Sequence, residues 1–166
     1  MDTRLAIASR REVREYADRE VPQKTVELIL DAGRLAGSAR NRQPWQFLLV
    51  ESAERRARLA GTVYEPDNIN GAQVVVAILG RAGMDVGRCI QNMLLAAWNE
   101  GVGGCPNGLR DADEAKRALG LDADEEIAVV LTFGYPARER DPFRRTAEEW
   151  SERADRKPLD ELVRRI

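Results

Sequence analysis

Apolar residues recur at helical spacing in three parts of the chain. Over residues 22–36 they return every three or four positions, and a proline at the first helical position follows Val21. This pattern predicts an amphipathic helix of about four turns. Over residues 84–100 they face nearly every side, which indicates a helix buried in the core. A short apolar helix is predicted over Thr3–Ser9, with Asp2 or Thr3 as its cap.

Three mostly apolar runs predict strands that are buried on both faces. They cover residues 45–50, 74–79 and 127–134. Two shorter helices are expected between them, one capped by Ser52 and the other over residues 113–119. Helices and strands in this order indicate an α+β fold.

Two stretches lack periodicity and predict loops. Residues 63–71 combine proline, aspartate and asparagine, and residues 101–108 contain four glycines. The glycines would let the backbone approach a flat ligand closely and expose N–H donors. Glycine-rich turns are commonly only turns, so this signal is weak by itself.

The last 29 residues, 138–166, carry nine basic and eight acidic side chains. Such a segment cannot form its own core, so it is either disordered or laid over another surface. Its aromatic residues Phe143 and Trp150 favour an arm that packs on this subunit or on a partner. The chain is therefore predicted to be one α+β domain over residues 1–166, with a C-terminal arm at 138–166.

Composition narrows the chemistry. The chain has 166 residues, a net charge of −2 and no histidine. The charge gives no general attraction to nucleic acid or to an anionic membrane. The lack of histidine excludes Ser-His and Cys-His nucleophile pairs and histidine-based zinc sites, so no metal site is expected. If the chain is an enzyme, a cofactor is expected to carry the chemistry.

The two cysteines point to a reducing compartment. Cys89 and Cys105 share no metal-ligand spacing and are too few for a disulfide framework, so both are expected to be structural or incidental. No apolar run reaches about 18 residues, and the N-terminus lacks a hydrophobic signal core. We therefore expect a soluble cytoplasmic protein.

Arginines after the first helix are candidates for holding an anion. Arg10 and Arg14 are four residues apart, so on a helical continuation they would share a face, and their two guanidinium groups could grip a phosphate dianion. The alternative is a solvated basic turn, partly neutralised by Glu12 and Glu15.

A polar loop, Gly37-Ser38-Ala39-Arg40-Asn41-Arg42-Gln43-Pro44-Trp45, joins the first long helix to the first strand. This loop resembles the serine, asparagine and glutamine-proline-tryptophan loop of the nitroreductase-like flavoprotein family. Three further segments resemble that family in the same order: Arg10-Arg11-Glu12-Val13-Arg14-Glu15-Tyr16, Gln91-Asn92 with the later Val102-Gly103-Gly104, and Gly134-Tyr135-Pro136 with the later Arg156-Lys157-Pro158-Leu159.

The resemblance implies a fold and a cofactor. The fold would have three layers, with a mixed central sheet flanked by helices and a C-terminal arm exchanged in a homodimer. FMN would bind at the interface, with the polar loop reaching the flavin of the other subunit. The cofactor-binding residues would be Arg10, Arg11, Arg14, Ser38, Arg40, Asn41, Gln43, Gly103, Gly104 and Arg156.

The resemblance also implies a reaction. NADH or NADPH would deliver hydride to flavin N5 and leave, and an electron-poor acceptor such as a nitroaromatic or quinone would then be reduced in the same pocket, a ping-pong scheme. No side chain needs to be catalytic, because backbone N–H groups near Gly103-Gly104 can tune N5. Two alternatives stay open: an FMN enzyme of the same fold that does not use nicotinamide, and a flavin-poor binding or regulatory subunit.

Three departures from the family pattern bear on that choice. Glu12 stands where a small hydroxyl residue is usual beside the phosphate, Gly37 replaces a common proline, and the region between Glu51 and Val74 is short. A carboxylate at position 12 would repel a phosphate within about 5 Å unless it turned outward or paired with Arg11 or Arg14.

Overall fold

The structure is a computed structural model that describes residues 1–166. Its helices are α1 Thr3–Ser9, α2 Gln23–Arg34, α3 Ala53–Ala60, α4 Pro66–Gly71, α5 Met84–Asn99, α6 Ala112–Leu119, α7 Ala147–Glu152 and α8 Leu159–Leu162. Short 3-10 turns lie at Ala39–Asn41 and Pro142–Arg144. The strands are β1 Gln46–Leu49, β2 Val74–Leu79, β3 Gly103–Asn107 and β4 Ile127–Gly134.

The four strands form one sheet in the order β1-β2-β4-β3. Every neighbouring pair is antiparallel, as in the pairings Phe47 with Ile78, Val76 with Leu131 and Cys105 with Thr132. The expected mixed sheet is therefore wrong for this chain. The predicted strands are mostly apolar because helices cover both faces of the sheet, and not because the strands are parallel.

Three layers, helix, sheet and helix, result from this packing, as predicted. On one face, α2 and α5 bury side chains such as Ile29, Met93 and Phe133. On the other face, the segment from α3 to α4 and helix α6 bury side chains such as Leu59 and Ile69. Helices α2 and α5 approach closely because Gly33 has no side chain: a Cβ there would lie 2.8 Å from the Cγ of Met93.

Several predicted elements are confirmed with shifts of one or two residues at their ends. The two long helices, the charged helix capped by Ser52 and the three predicted strands all form. Strand β1 lies at an edge of the sheet and is only partly buried, so its expected burial on both faces is wrong. The Ser52 hydroxyl accepts a hydrogen bond from the Arg55 amide at 3.3 Å, as a cap does. Prediction succeeded here because periodicity and local capping point to the same structure.

Two predicted loops are wrong. Residues 66–71 form α4, since Pro66 occupies the first turn, where its missing N–H does no harm, and Ile69 is fully buried. Residues 103–107 form the edge strand β3, where Pro106 is tolerated because an edge strand leaves half of its N–H groups outside the ladder.

Helix α5 is buried on one side only, so the expected burial on nearly every side is also wrong. Cys89 and Met93 are fully buried, whereas Met84 is 72% exposed. Arg88, Gln91 and Asn92 are exposed as well. The exposed residues lie at helical spacing and form a continuous surface along the helix.

The C-terminal arm lies partly on its own subunit. Helix α7 packs against α1, where Arg4 pairs with Glu148 at 2.8 Å. The indole Nε1 of Trp150 donates to the Pro142 carbonyl at 2.8 Å. Beyond α7, the apolar side chains are exposed, with Leu159 at 75% and Leu162 at 63%. None of the helices in the chain combines the length and apolar character that crossing a bilayer requires.

Candidate functional site

The basic segment at residues 10–14 is fixed at its start by a buried hydrogen bond. The indole Nε1 of Trp98 donates to the Ser9 hydroxyl at 2.9 Å, which ties the last residue of α1 to the last turn of α5. The chain then leaves the helix, and the Val13 amide donates to the Gly104 carbonyl at 3.2 Å. Residues 10–14 are not helical, so the expected helical continuation that would align Arg10 with Arg14 is wrong.

Arg10 forms a partly buried ion pair with Glu12. Its Nη2 lies 2.8 Å from Oε1 of Glu12, and the two side chains are 16% and 31% exposed. The other nitrogen, Nη1, and the other carboxylate oxygen, Oε2, are buried without a hydrogen-bond partner. Sequence reasoning expected Glu12 to turn outward or to pair with Arg11 or Arg14, but the turn after α1 brings it to Arg10.

Arg11 uses its donors to hold backbone. Its Nη1 donates to the carbonyls of Ala8 at 2.7 Å and Arg10 at 2.9 Å, and its Nη2 donates to the Trp150 carbonyl at 3.2 Å. Burial lowers the pKa of Arg11, and the positive charges of Arg156, Arg10, Arg140 and Arg153 lower this pKa further. Arg11 therefore connects the arm to the basic segment, and several other arginines lie close enough to affect its pKa.

A cavity of about 590 Å³ lies between α1, α5 and the arm. Arg10, Arg11 and Arg156 line it together with Gln91. The structure thus brings Arg156, from the C-terminal arm, to Arg10 and Arg11 near the N-terminus, and all three are predicted site residues. Such a cavity is within the size range of small-molecule sites, and its arginines favour an anionic ligand.

Arg14 faces a second, adjacent cavity of about 290 Å³, which Glu12, Val13 and Arg138 also line. Arg14 lies near the buried thiol of Cys105. Burial raises the pKa of the Cys105 thiol and Arg14 opposes this, while burial raises the pKa of Cys89 to about 11. Both cysteines are therefore weak nucleophiles at neutral pH, which agrees with the structural role expected for them.

Gly103 and Gly104 lie under the basic segment, on the edge strand β3. A Cβ at Gly104 would come 2.7 Å from Phe133 and 2.9 Å from Leu94, and one at Gly103 would overlap Val13. The two glycines are thus required by packing inside the chain. The Gly104 carbonyl accepts a hydrogen bond from the Val13 amide at the outer edge of the sheet. The N–H and C=O of one residue in a strand point to the same side, so the Gly104 amide also points to this outer edge.

The polar loop at residues 37–45 has a strained backbone. Arg40, Asn41 and Gln43 have φ angles of 55°, 54° and 49°. Non-glycine residues in this region cost on the order of 1–3 kcal/mol each and are common where a ligand is held. The Ser38 hydroxyl stabilises the loop by accepting from the Gln43 amide at 2.8 Å, while the side chains of Arg40, Asn41 and Gln43 are exposed.

The loop and the basic segment lie at opposite ends of α5. The Ala39 amide donates to the Asp85 carboxylate at 2.9 Å, at the start of the helix, whereas Ser9 is bonded to Trp98 at its end. Thirteen residues of helix separate these two anchors by about 20 Å. The loop is therefore not part of the arginine cluster of its own chain.

Sequence reasoning missed a buried polar network beside the site. The Tyr16 hydroxyl donates to the Val13 carbonyl at 2.6 Å and lies 2.9 Å from the hydroxyl of Thr132. Asn107 Nδ2 donates to Thr132 at 3.1 Å and its Oδ1 accepts from Asn68 at 2.8 Å. Thr132, a hydroxyl residue within the apolar run at 127–134, was the available signal. Burial raises the pKa of Tyr16 well above its usual value.

Comparison with known proteins adds independent information. The model of the nitroreductase family matches residues 7–73 and 67–135. The chain is 30% identical to a protein of Archaeoglobus fulgidus over 81% of this chain and 86% of the relative. It is 31% identical to one of Methanothermobacter thermautotrophicus over 90% of this chain and 88% of the relative. Both relatives are provisionally named NADH dehydrogenase/NAD(P)H nitroreductase.

Solved structures agree with the sequence relatives. A crystal structure from Desulfovibrio desulfuricans, described as a provisional nitroreductase in complex with FMN, is 29% identical to the chain. Its TM-score is 0.82, and the superposition covers 98% of this chain and 96% of that one.

Proposed function

This chain belongs to the nitroreductase family, and on that premise we propose that it is an FMN-dependent NAD(P)H oxidoreductase. When bound, FMN accepts hydride from the nicotinamide and passes electrons to an acceptor. We propose an electron-poor acceptor, such as a nitroaromatic or a quinone, which would react after the nicotinamide has left. The protein itself supplies binding, orientation and electrostatics.

The residues present fit the phosphate of FMN. The observation that carries the proposal is the buried Nη1 of Arg10, a charged donor without a partner, beside the cavity that Arg11 and Arg156 also line. A buried donor left unsatisfied is unfavourable, and a phosphate oxygen would satisfy it with a charge-assisted bond. An anion would also reduce the mutual repulsion that lowers the pKa of Arg11.

We propose that Arg14 and the outer edge of β3 orient the isoalloxazine ring. Arg14 follows the Val13 amide along this edge, and the Gly104 amide points the same way. A cation and an N–H donor at this position would stabilise negative charge on the reduced ring. No acid or base from the chain is needed for that role.

The complete site requires two chains in this proposal. A two-fold axis perpendicular to α5 would pack the exposed face of this helix on its copy and would make the two helices antiparallel. The loop at the start of one α5 then lies near the arginine cluster at the end of the other. Met84, 72% exposed, and Ile7, 59% exposed, would be covered by such packing.

The exposed end of the arm fits the same homodimer. Leu159, Leu162 and Val163 are 75%, 63% and 49% exposed in the single chain. Exposed apolar side chains grouped in this way are typical of an interaction surface. We propose that the part of the arm beyond α7, residues 153–166, reaches across to the partner.

An absorbance spectrum with and without NADH or NADPH tests the proposed function. The purified protein should be yellow with a flavin spectrum, and anaerobic addition of one nicotinamide should bleach it. A yellow protein that neither nicotinamide bleaches would favour an FMN enzyme with a different reductant. A protein that stays colourless after incubation with excess FMN would contradict flavin dependence altogether.

One observation favours the second candidate, a flavin-poor binding or regulatory subunit. Glu12 already occupies one face of Arg10, the residue on which the phosphate site depends. The same spectrum decides between the two functions, since only the enzyme retains flavin.

A further inference from the structure

Glu12 lies where it affects the phosphate of the proposed flavin, so the following inference rests on the proposed function. Its carboxylate contacts the same guanidinium whose second nitrogen remains unpartnered. The two nitrogens belong to one planar fork, so a phosphate bound to Nη1 would lie beside the carboxylate on Nη2. Two anions would then share one cation.

The negative charge of Glu12 lies next to a cavity whose charged side chains are all arginines. The cavity lining contains Arg4, Arg10, Arg11 and Arg156 and no carboxylate. Glu12 lines a different cavity, together with Arg14 and Arg138. It is 31% exposed, and its second oxygen is buried without a partner, so water screens it only in part.

We propose that Glu12 is a specificity-determining residue that competes with the flavin phosphate for Arg10. The negative charge of Glu12 weakens the binding of FMN. It does not change the binding of riboflavin, which has the same ring and ribityl chain but no phosphate. The chain therefore discriminates less between phosphorylated and unphosphorylated flavin than it would with a neutral side chain at position 12.

The substitution Glu12→Gln isolates the charge. Glutamine keeps an oxygen that can accept from Nη2 of Arg10, so the guanidinium stays in place while the negative charge is removed. Like charges about 5 Å apart repel strongly enough to change affinity roughly ten-fold when the screening lies between that of a protein surface and that of bulk water. We therefore expect the Kd for FMN to fall roughly ten-fold and the Kd for riboflavin to stay unchanged.

The measurement is a titration of the full-length chain, dialysed free of flavin, with FMN or with riboflavin, followed by flavin fluorescence. Glu114→Gln is the matched control, because it removes the same charge from a carboxylate that also pairs with an arginine, Arg117, but lies 42% exposed on α6. It should leave both Kd values unchanged. Circular dichroism and thermal unfolding of each variant show that the fold is retained.

Glu12→Ala distinguishes competition from positioning. If Glu12 competes with the phosphate, alanine should tighten FMN binding as glutamine does. If Glu12 instead serves to orient Arg10, alanine weakens FMN binding and glutamine has little effect, which overturns the proposal. An equal change for FMN and riboflavin in Glu12→Gln also overturns it.

The failure of this inference differs from that of the proposed function. Wild-type protein that binds FMN with an affinity unaltered by Glu12→Gln would overturn the inference alone. Absence of flavin binding in both wild type and Glu12→Gln would overturn both. Binding of FMN by Glu12→Gln but not by wild type would support the inference.

Discussion

Trp98 and Ser9 are joined by a buried hydrogen bond of 2.9 Å that sets where the basic segment begins. Trp98 is 5% exposed and Ser9 is 1% exposed, so water cannot replace either partner. The bond holds the end of α1 against the last turn of α5, and Arg10 is the next residue. The position of the arginine cluster thus depends on the packing between these two helices.

Ser9→Ala should destabilise the protein by roughly 1–3 kcal/mol, because it leaves the indole N–H of Trp98 buried without an acceptor. Urea unfolding measures the loss. In Trp98→Phe the donor is absent, so adding Ser9→Ala to that variant should change the free energy of unfolding by much less than it does in wild type. Fully additive losses would show that this hydrogen bond does not contribute to stability.

Arg10→Ala should weaken FMN binding ten-fold or more, because a charge-assisted bond is worth about 1.5–3 kcal/mol. Fluorescence titration with FMN measures it. Arg34→Ala is the control: Arg34 pairs with Asp31 on the surface of α2 and is 62% exposed. Full flavin occupancy in Arg10→Ala at micromolar concentration would remove Arg10 from the phosphate site.

Tyr16 gives a prediction about alkaline pH. Burial raises its pKa above the ordinary value of 10.0. Above that pH the unfolded chain releases the tyrosine proton while the folded chain keeps it, so the folded state binds more protons and loses stability as pH rises. The free energy of unfolding of wild type minus that of Tyr16→Phe should therefore be constant below about pH 9. It should decline above pH 10, by at most about 1.4 kcal/mol per pH unit.

Urea unfolding between pH 8 and about pH 10.5 measures this difference. Tyr64→Phe is the control, since Tyr64 is 67% exposed and its hydroxyl is outside the buried network. At neutral pH, Tyr16→Phe should also cost about 1–3 kcal/mol, because the hydrogen bonds to Val13 and Thr132 are lost. A stability difference that does not vary with pH would contradict the raised pKa.

Sequence patterns predicted the elements whose burial is set locally. Helix α2 was found because its apolar positions repeat with the helical period, and strand β2 because six consecutive apolar residues fit a strand buried on both faces. Residues 66–71 were missed because proline, aspartate and asparagine also occur in a helix that begins at proline. For β3, the glycines at 103 and 104 reflect contacts with Val13, Leu94 and Phe133, which no local pattern contains.

The candidate site was predictable to the extent that it depends on residue type. Arginines at 10, 11 and 156 were identified from the sequence, and the structure places them around one cavity. The pairing of Glu12 with Arg10 and the burial of Tyr16 depend on how the chain turns after α1, so they required the structure. The positive φ angles at Arg40 and Gln43 also had no local signal, because these residue types usually avoid positive φ, whereas asparagine, as at Asn41, adopts it more readily.

A complementation experiment tests whether two chains share each site. One variant carries Arg10→Ala, and a second carries Asn41→Ala with Gln43→Ala in the exposed loop. Each variant alone should retain little flavin. In co-expressed chains, a mixed dimer joins the intact arginine cluster of one chain to the intact loop of the other. Random pairing makes half of the dimers mixed and one of their two sites intact, so about a quarter of all sites should bind FMN.

The matched control for that experiment is co-expression of Arg10→Ala with Arg14→Ala. Both changes affect the same half of the site, so no pairing of these chains restores an intact cluster, and flavin occupancy should stay low. If the loop variant alone binds FMN as wild type does, the loop does not contact the flavin. If co-expression of Arg10→Ala with the loop variant does not restore flavin occupancy, the cluster and the loop contribute to a site within the same chain. The flavin would then have to span the roughly 20 Å between their anchors on α5 within one subunit.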